Sequence, residues 1–404
     1  MNNTKPRVVV TGIGVIASNG CNREQFFQSI VSGNTGLKES RIFKELHIGS
    51  TSIAGEVEDS FVTSRDYSDE EKSMIMAYQA IDEALADSGF IKEDLKATGL
   101  RCGLSVSTSV SGSLNTSKYI KYKCNNLEPD PEWLISIPNY TRKIARYCNI
   151  SGSAYTTVSA CAAGTAGAGI AIDQIKNGTS DIVLVVGTDM LADISAAGFH
   201  SLESMSKKGC IPFDKNRDGT SLGEGSAAFI VESLDHAVAR NAHIYGELLG
   251  YGLSNDAYHI TSPDPEGEGA LRAMKMALED ANLQAEQIDY INVHGTATQL
   301  NDVMEIKSIS KFLGDSEKRV LISSTKAITG HCLGAAGSVE LAVLLMAVDR
   351  NLAPLTANLT DIPDEFSGYN IVQGESVQSE IRYAMSNSFA FSGNAASIVI
   401  GKVI

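Results

Sequence analysis

The sequence predicts an α/β protein built from two similar halves, and three observations carry that expectation. Short β-branched runs recur along the chain, at Val8-Val9-Val10, Ile182-Val-Leu-Val-Val186, Ala228-Phe-Ile-Val231, Ile288 to Val293, Val320-Leu-Ile-Ser323 and Ala396 to Ile400, which is the pattern of buried strands. Helical stretches dense in Ala and Gly lie between them. Two stretches, finally, share one template: Cys161-Ala-Ala-Gly164-Thr-Ala166-Gly167 and His331-Cys-Leu-Gly334-Ala-Ala336-Gly337.

Val8 to Val10 opens as a strand, and Gly12-Ile-Gly14-Val-Ile-Ala17 after it has the spelling of a dinucleotide-binding turn. No acidic residue ends a second strand about 20 residues on, so that reading is set aside. Asn115 to Arg146 mixes aromatic, basic and acidic residues and is a candidate partner or substrate region. The first templated stretch runs into Ile170-Ala-Ile172 and the second into Val339 to Val348. Both read as helices that start at or just before the reactive residue. The first has no polar face until Asp173, so it must be covered on nearly all sides. The two helices are therefore expected as a central layer with sheet above and below. Gly219-Thr-Ser221-Leu-Gly223 has the serine-elbow spelling, but a strand follows where the elbow needs a helix, which leaves Ser221 a structural part. The halves are expected to divide near Ala242 to Gly250, giving 1–242 and 243–404.

With 404 residues, 43% hydrophobic and 20% charged, the chain can bury a large core. A net charge of −15 and a pI near 5.0 argue against nucleic acid or an anionic membrane as main partner, since both reward clustered Lys and Arg. Seven cysteines without C-x-x-C spacing favour neither a disulfide framework nor a zinc site. No apolar run approaches the roughly 18 residues needed to span a bilayer, and the opening Met1-Asn-Asn-Thr-Lys-Pro-Arg7 does not read as an export signal. A cytoplasmic location is expected.

Cys161 stands at a strand-to-helix turn, where the first backbone N–H groups of the helix lack intrahelical partners. Such groups favour a thiolate and can hold an oxyanion, as a cysteine attacking a thioester requires. A small buried cysteine is the commoner fate of this residue type. His294, in Val293-His-Gly-Thr296-Ala-Thr298, and His331, after Lys326-Ala-Ile-Thr-Gly330, each sit among Gly and Thr where a ligand can approach. Two neutral imidazoles donating to one carbonyl oxygen would stabilise the enolate formed when a malonyl thioester loses carbon dioxide. His259, His294 and His331 lack local ligand spacing for a metal, and none is expected.

Together the landmarks Val10-Thr-Gly-Ile-Gly14, Ser159-Ala-Cys161-Ala-Ala-Gly164, Pro212-Phe-Asp-Lys-Asn-Arg217-Asp-Gly219, Leu222-Gly-Glu-Gly225, Asp256-Ala-Tyr-His259, Asn292-Val-His294-Gly-Thr296-Ala-Thr298, Lys326-Ala-Ile-Thr-Gly-His331 and Asn387-Ser-Phe-Ala-Phe391 resemble the β-ketoacyl-(acyl carrier protein) synthases of the KAS I/II type. The likeness runs from Val8 to Ile400. It implies the thiolase fold, five layers α-β-α-β-α of two duplicated halves, the first holding the nucleophile and the second two histidines. It also implies an acyltransferase. Cys161 would carry the acyl chain, with the backbone N–H groups of Cys161 and Phe391 as oxyanion hole, and His294 and His331 would hold malonyl-carrier during decarboxylation. Lys326 and Glu340 are similar to the charged pair that orders those histidines, unless they are a buried pair needed only for folding. Thr296 and Thr298 match residues that bind the phosphopantetheine arm. Phe391 resembles the gate, with Phe389 beside it and with Asp256 and His259 on the neighbouring loop. No cofactor is implied beyond that arm; the partners implied are acyl carrier protein and a second subunit.

Three departures from the family pattern bear on the pathway. The gate, usually Phe-Gly-Phe-Gly-Gly-Thr-Asn, reads Phe389-Ala-Phe-Ser-Gly-Asn-Ala395 here, so Ala390 and Ser392 restrict a hinge that elsewhere uses glycine freedom. Stretches that often carry basic carrier-docking residues read Asp69-Glu-Glu71 and Glu128-Pro-Asp130-Pro-Glu132, which would repel an acidic carrier. Val106-Ser-Thr-Ser-Val-Ser-Gly-Ser113 is hydroxyl-rich, as a pocket for polar or unsaturated chains would be, although small residues also simply pack tightly. These departures point to a specialised type II polyketide or aryl polyene system, with a chain-length-factor-like partner in a heterodimer, over a homodimeric housekeeping fatty acid elongation enzyme. A non-elongating partner subunit would have lost the nucleophile. A thiolase would carry a second cysteine near the C-terminus, where Phe-Ala-Phe-Ser-Gly-Asn stands instead.

Overall fold

The apolar run that opens the chain becomes β1 (Val8–Ala17), buried at every position, and the remaining strands are arranged to either side of it. In the computed structural model, which describes residues 5–45, 53–62, 71–96, 100–134, 137–314 and 319–403, eleven strands form one sheet. The others are β2 (Cys102–Ser107), β3 (Ala154–Thr157), β4 (Ile182–Asp189), β5 (Gly225–Ser233), β6 (Gly246–Asn255), β7 (Tyr290–Asn292), β8 (Leu321–Ser323), β9 (Asn370–Ile371), β10 (Tyr383–Phe389) and β11 (Asn394–Gly401).

Their order across the sheet, β9-β8-β7-β10-β11-β6-β1-β5-β4-β2-β3, contains the duplication. Moving from β3 toward β1, the pairings are parallel, parallel, antiparallel, antiparallel. From β8 toward β6 the same four recur in the same order, and β9 adds one parallel strand at the far edge. β1 and β6 pair antiparallel at Val9 with Glu247 and Val10 with Gly246, which joins the halves through their backbones.

Helices cover both faces of the sheet. Among them are α1 (Lys72–Ser88), α2 (Ser113–Cys124), α3 (Ile137–Tyr147), α4 (Ala163–Lys176), α5 (Asp193–Ser201), α6 (Glu268–Ala281), α7 (Gln299–Leu313) and α8 (Ala336–Arg350). Helix α1 packs on β1, β5 and β4, and α3 on β2 and β3, while α6 packs on β6 and β11 with α7 against it. Helices α4 and α8 touch each other and strands of both halves, so they form the central layer and the order is α-β-α-β-α. From Ala336 to Val348 every residue of α8 is buried, as its lack of a polar face requires. The shared template gives these two helices their crossing: a Cβ on Gly164 would lie 2.4 Å from Ser338 N, and one on Gly337 would lie 2.6 Å from Thr165 N. Backbones approach this closely only where one residue at each contact, here a glycine, lacks a Cβ.

One sequence expectation changes. Helices α4 and α8 begin at Ala163 and Ala336, after the reactive residues and not at or before them, because 3-10 turns at Ala160–Ala162 and Leu333–Ala335 intervene. The dinucleotide-like Gly14 serves packing, since a Cβ there would lie 1.9 Å from the Ala80 carbonyl oxygen of α1. Among the described residues no helix is long and apolar enough to cross a membrane.

Candidate active site

Cys161 lies inside the 3-10 turn between β3 and α4, and Ala160 before it takes the left-handed backbone at φ 50°, a conformation that costs an alanine roughly 1 kcal/mol. The turn lifts the thiol out of the sheet toward the second half. There His331 Nε2 stands 3.1 Å from Cys161 Sγ. Burial pushes the thiol up to about 12, with Lys326 opposing. This corrects the thiolate expected from the helix terminus: desolvation outweighs the backbone dipoles, and the resting group is S–H. Burial and Lys326 together hold the His331 imidazole well below its ordinary 6.5, so a neutral ring faces a neutral thiol.

The backbone of His331 is fixed on both sides. Its N–H donates to the Ser221 carbonyl at 2.8 Å, and its carbonyl accepts from Gly223 N–H at 2.9 Å. Ser221 is structural, as its sequence context implied: its Oγ accepts the Cys210 N–H at 3.1 Å.

His294 follows β7, where the chain turns through Gly295 at φ 42°. Glu305, on α7, accepts the N–H groups of His294 and Gly295 at 2.8 Å each. Burial pushes this carboxyl up to about 7, against those two bonds. Lys326 Nζ donates to the His294 carbonyl at 2.5 Å, lies 3.5 Å from His294 Nδ1 and pairs closely with Glu340; both members of the ion pair are buried. A donor at Nδ1 leaves the ring proton on Nε2. The ring stays neutral, because burial, Lys326 and His331 all lower its pKa. The two imidazoles meet edge to face, centroids 5.3 Å apart.

These groups close one end of a cavity of about 330 Å³ lined by Cys161, His294, His331, Thr296, Thr298 and Phe389, among others. Thr296 and Thr298 hydroxyl oxygens are 3.0 Å apart, and Thr298 also caps α7. Phe391 borders this cavity and a second one, also about 330 Å³, on the other side of Cys161. It rests on Phe199, ring centroids 5.2 Å apart. Ser392 holds φ 64°, and its N–H donates to the Ile260 carbonyl at 2.7 Å.

Asp256 and His259 are not brought to this cavity; their neighbours Thr261, Ser262 and Pro263 line it instead. Asp256 accepts backbone N–H groups of Tyr258 and Asp264 at 3.0 and 3.1 Å, and His259 Nδ1 accepts those of Thr261 and Ser262, both at 3.1 Å. Both residues thus shape the loop.

The acidic-docking expectation also changes. Glu71 is buried, and its carboxylate accepts the backbone N–H groups of Gly112 and Asn115 at 2.8 and 2.7 Å and the Tyr140 hydroxyl, so it meets no partner. Asp69 and Glu70 lie outside the described residues, as does the side chain of Glu132. Glu128 is exposed and lies 3.4 Å from Lys123. Sequence reasoning missed Glu305, which looks like an ordinary helix-surface charge in Met304-Glu-Ile306, and Phe199, for which no local signal exists.

Comparison with known proteins agrees with this geometry. The model of the β-ketoacyl synthase N-terminal domain matches residues 5–237, and that of the C-terminal domain matches 245–360. The chain is 34% identical to 3-oxoacyl-[acyl-carrier-protein] synthase 2 of Coxiella burnetii, covering 99% of both chains, and 34% identical to the protein of that name from Staphylococcus aureus strain N315, covering 98% of both. Among solved structures, the ishigamide ketosynthase/chain length factor superposes with a TM-score of 0.92 at 30% identity, over 99% of this chain and 100% of that one. A type II PKS acyl-carrier protein in complex with its ketosynthase bound to the hexaketide gives a TM-score of 0.89 at 28% identity, over 99% and 100%. With its thiol and two imidazoles gathered at one cavity and both domain models matched, the chain belongs to the β-ketoacyl synthase family.

Proposed function

We propose that this chain is a 3-oxoacyl-(acyl carrier protein) synthase that extends an acyl chain by decarboxylative condensation. One observation carries the reading: a thiol and two neutral imidazoles, one with its donor nitrogen fixed by a buried lysine, meet at the end of a cavity. Acyl-carrier enters first. Cys161 Sγ attacks the thioester carbonyl while His331 Nε2 takes the thiol proton; the oxyanion rests on the N–H groups of Cys161 and Phe391, and the carrier thiol leaves with that proton.

Malonyl-carrier then threads its phosphopantetheine arm past Thr296 and Thr298. Its thioester oxygen accepts from the Nε2–H of His294 and from that of His331, whose neutral ring has by then moved its proton from Nδ1 to Nε2; the bond to the carboxylate breaks, and carbon dioxide departs with the enolate left behind. The enolate carbon attacks the acyl-Cys161 carbonyl. The Cys161 thiolate is expelled and takes one proton from solvent, and 3-oxoacyl-carrier leaves. Lys326 and Glu340 act through His294, without touching substrate. The carrier arm brings both substrates, so the chemistry calls for no further cofactor.

A specialised type II system, with a sequence-related, cysteine-lacking partner subunit, is favoured over housekeeping elongation by one feature: the gate holds a serine at φ 64°. The edge strand β3 exposes Ala154 and Tyr155 at the end of the sheet, with exposed Val158 and Ile194 as further apolar surface, a surface that a second chain of either kind would cover.

Intact-mass analysis with acyl-carrier and malonyl-carrier tests the reaction. Acylation is expected at Cys161 and lost in Cys161→Ala; an acylated Cys161→Ala protein overturns the nucleophile assignment. A purified chain that is a tight homodimer elongating acyl-carrier at full rate overturns the heterodimer.

A further inference from the structure

Apolar side chains stand exposed around the mouth of the cavity that ends at Cys161 and the two histidines. Leu202, at 44% exposure, and Leu300, at 61%, line it. Ile260, at 74%, precedes the lining residues Thr261, Ser262 and Pro263, and Val303, at 39%, stands about one turn beyond Leu300 on α7. Exposed aliphatic residues scattered singly are ordinary on a protein surface, but four around one opening form a patch, and such a patch marks contact with another molecule. The rim is also held in place. The Ile260 carbonyl is fixed by the Ser392 N–H, and Leu300 and Val303 lie in the first turns of a helix capped by Thr298, so little ordering is left for binding to impose.

Charge does not mark this mouth. Among the described residues no lysine or arginine lines the cavity, whereas Glu203 and Asp218 do. Lys207 and Lys208, which follow Glu203 in the chain and are exposed, balance those two carboxylates in number. Asp218 lies against their segment, its carboxylate accepting the Ser206 hydroxyl at 2.5 Å and the Lys207 N–H at 3.3 Å. An acidic protein arriving here meets no net positive field to steer or hold it.

We propose that this rim is where the body of the acyl carrier protein docks, and that it holds the carrier by burying apolar surface, with charge contributing little. The inference rests on the proposed condensation. Cys161 ends the cavity, so an arm that reaches the thiol through the mouth leaves the protein it is tethered to standing on Leu202, Ile260, Leu300 and Val303. Removing their exposed area from water supplies the affinity.

The test uses the full chain with two octanoyl donors: octanoyl-N-acetylcysteamine, and the octanoyl thioester of whichever acyl carrier protein in a panel acylates Cys161 fastest. Ile260 and Val303 are outside the cavity lining, so their variants report on the rim alone. Ile260→Ser is expected to raise the half-saturating carrier concentration about tenfold and Val303→Ser about threefold, in step with the apolar area each presents. Neither should alter acylation by the small donor. Ile260→Lys should raise the carrier requirement as well, and a change from about 50 to about 500 mM sodium chloride should move the wild-type value by less than about threefold. An unchanged carrier requirement in both serine variants overturns the inference, as does an equal loss with both donors. A lower requirement in Ile260→Lys, or a larger rise with salt, makes the docking electrostatic and overturns it too. A wild type acylated by the small donor but by no carrier overturns the inference and leaves Cys161 as the nucleophile; one acylated by neither overturns the proposed function, and this inference with it.

Discussion

Lys326 Nζ lies 3.5 Å from His294 Nδ1, and this contact leaves the proton of the neutral ring on Nε2, the nitrogen that the proposed reaction uses as a donor. Lys326→Met removes it and leaves Glu340 buried without its partner. Decarboxylation of malonyl-carrier, measured as carbon dioxide release in a Cys161→Gln background, is expected to fall by about 10²–10³, the usual cost of losing an oxyanion donor. Acylation of Cys161 in the otherwise wild-type enzyme should persist. Equal losses in both half-reactions would make Lys326 a folding residue.

The Cys161 thiol, pushed up to about 12 by burial, should show no plateau in its alkylation by iodoacetamide between pH 7 and 10. The rate is expected to climb with pH over the whole interval, because the thiolate fraction does. A plateau reached near neutrality would mean a stable thiolate–imidazolium pair.

Glu305 gives the fold a pH dependence of definite sign. Its carboxyl titrates near 7 when folded, against an ordinary 4.5, so between those values the folded protein holds a proton that the unfolded chain has released. Its contribution to stability is full below about pH 4.5 and is lost as the pH rises through about 7. Urea unfolding at pH 5, 6 and 7 should show a shallower decline in Glu305→Gln than in the wild type.

Gly164→Ala tests the crossing of the central helices. A Cβ there meets Ser338 N at 2.4 Å, which forces the helices apart at a cost of about 1–3 kcal/mol. A lowered melting temperature is expected, together with slower acylation, since Cys161 and His331 sit just ahead of the two helices. An unchanged melting temperature would mean that the layer yields more freely than its packing indicates.

The duplicated template, the strand runs and the reactive trio were legible because each is local: a residue type, a short period and a neighbouring glycine. The exact start of α4 and α8 was not, since the 3-10 turns at Ala160–Ala162 and Leu333–Ala335 are spelled like the helices they precede. The state of the Cys161 thiol was misjudged because burial depends on the other half of the chain. Glu71 read as a surface charge and proved to be a buried cap for Gly112 and Asn115, partners some forty residues away. The hydroxyl-rich run was visible as composition, but only the folded arrangement shows hydroxyls turned into the protein, Thr108 to Asp189 and Ser111 to the Thr188 carbonyl. The β1–β6 pairing, two register positions long, has no signature that sequence reading could use.

The crossing at Gly164 and Gly337 also separates what this protein can change from what it must keep. Cys161 and His331 stand just ahead of two helices locked backbone to backbone, whereas the Phe199 helix and the 390–393 turn that border the cavities lie on other segments. Substrate choice can therefore drift by substitution in those borders while the distance from sulfur to imidazole stays put. A lineage could alter its diet without relearning its chemistry.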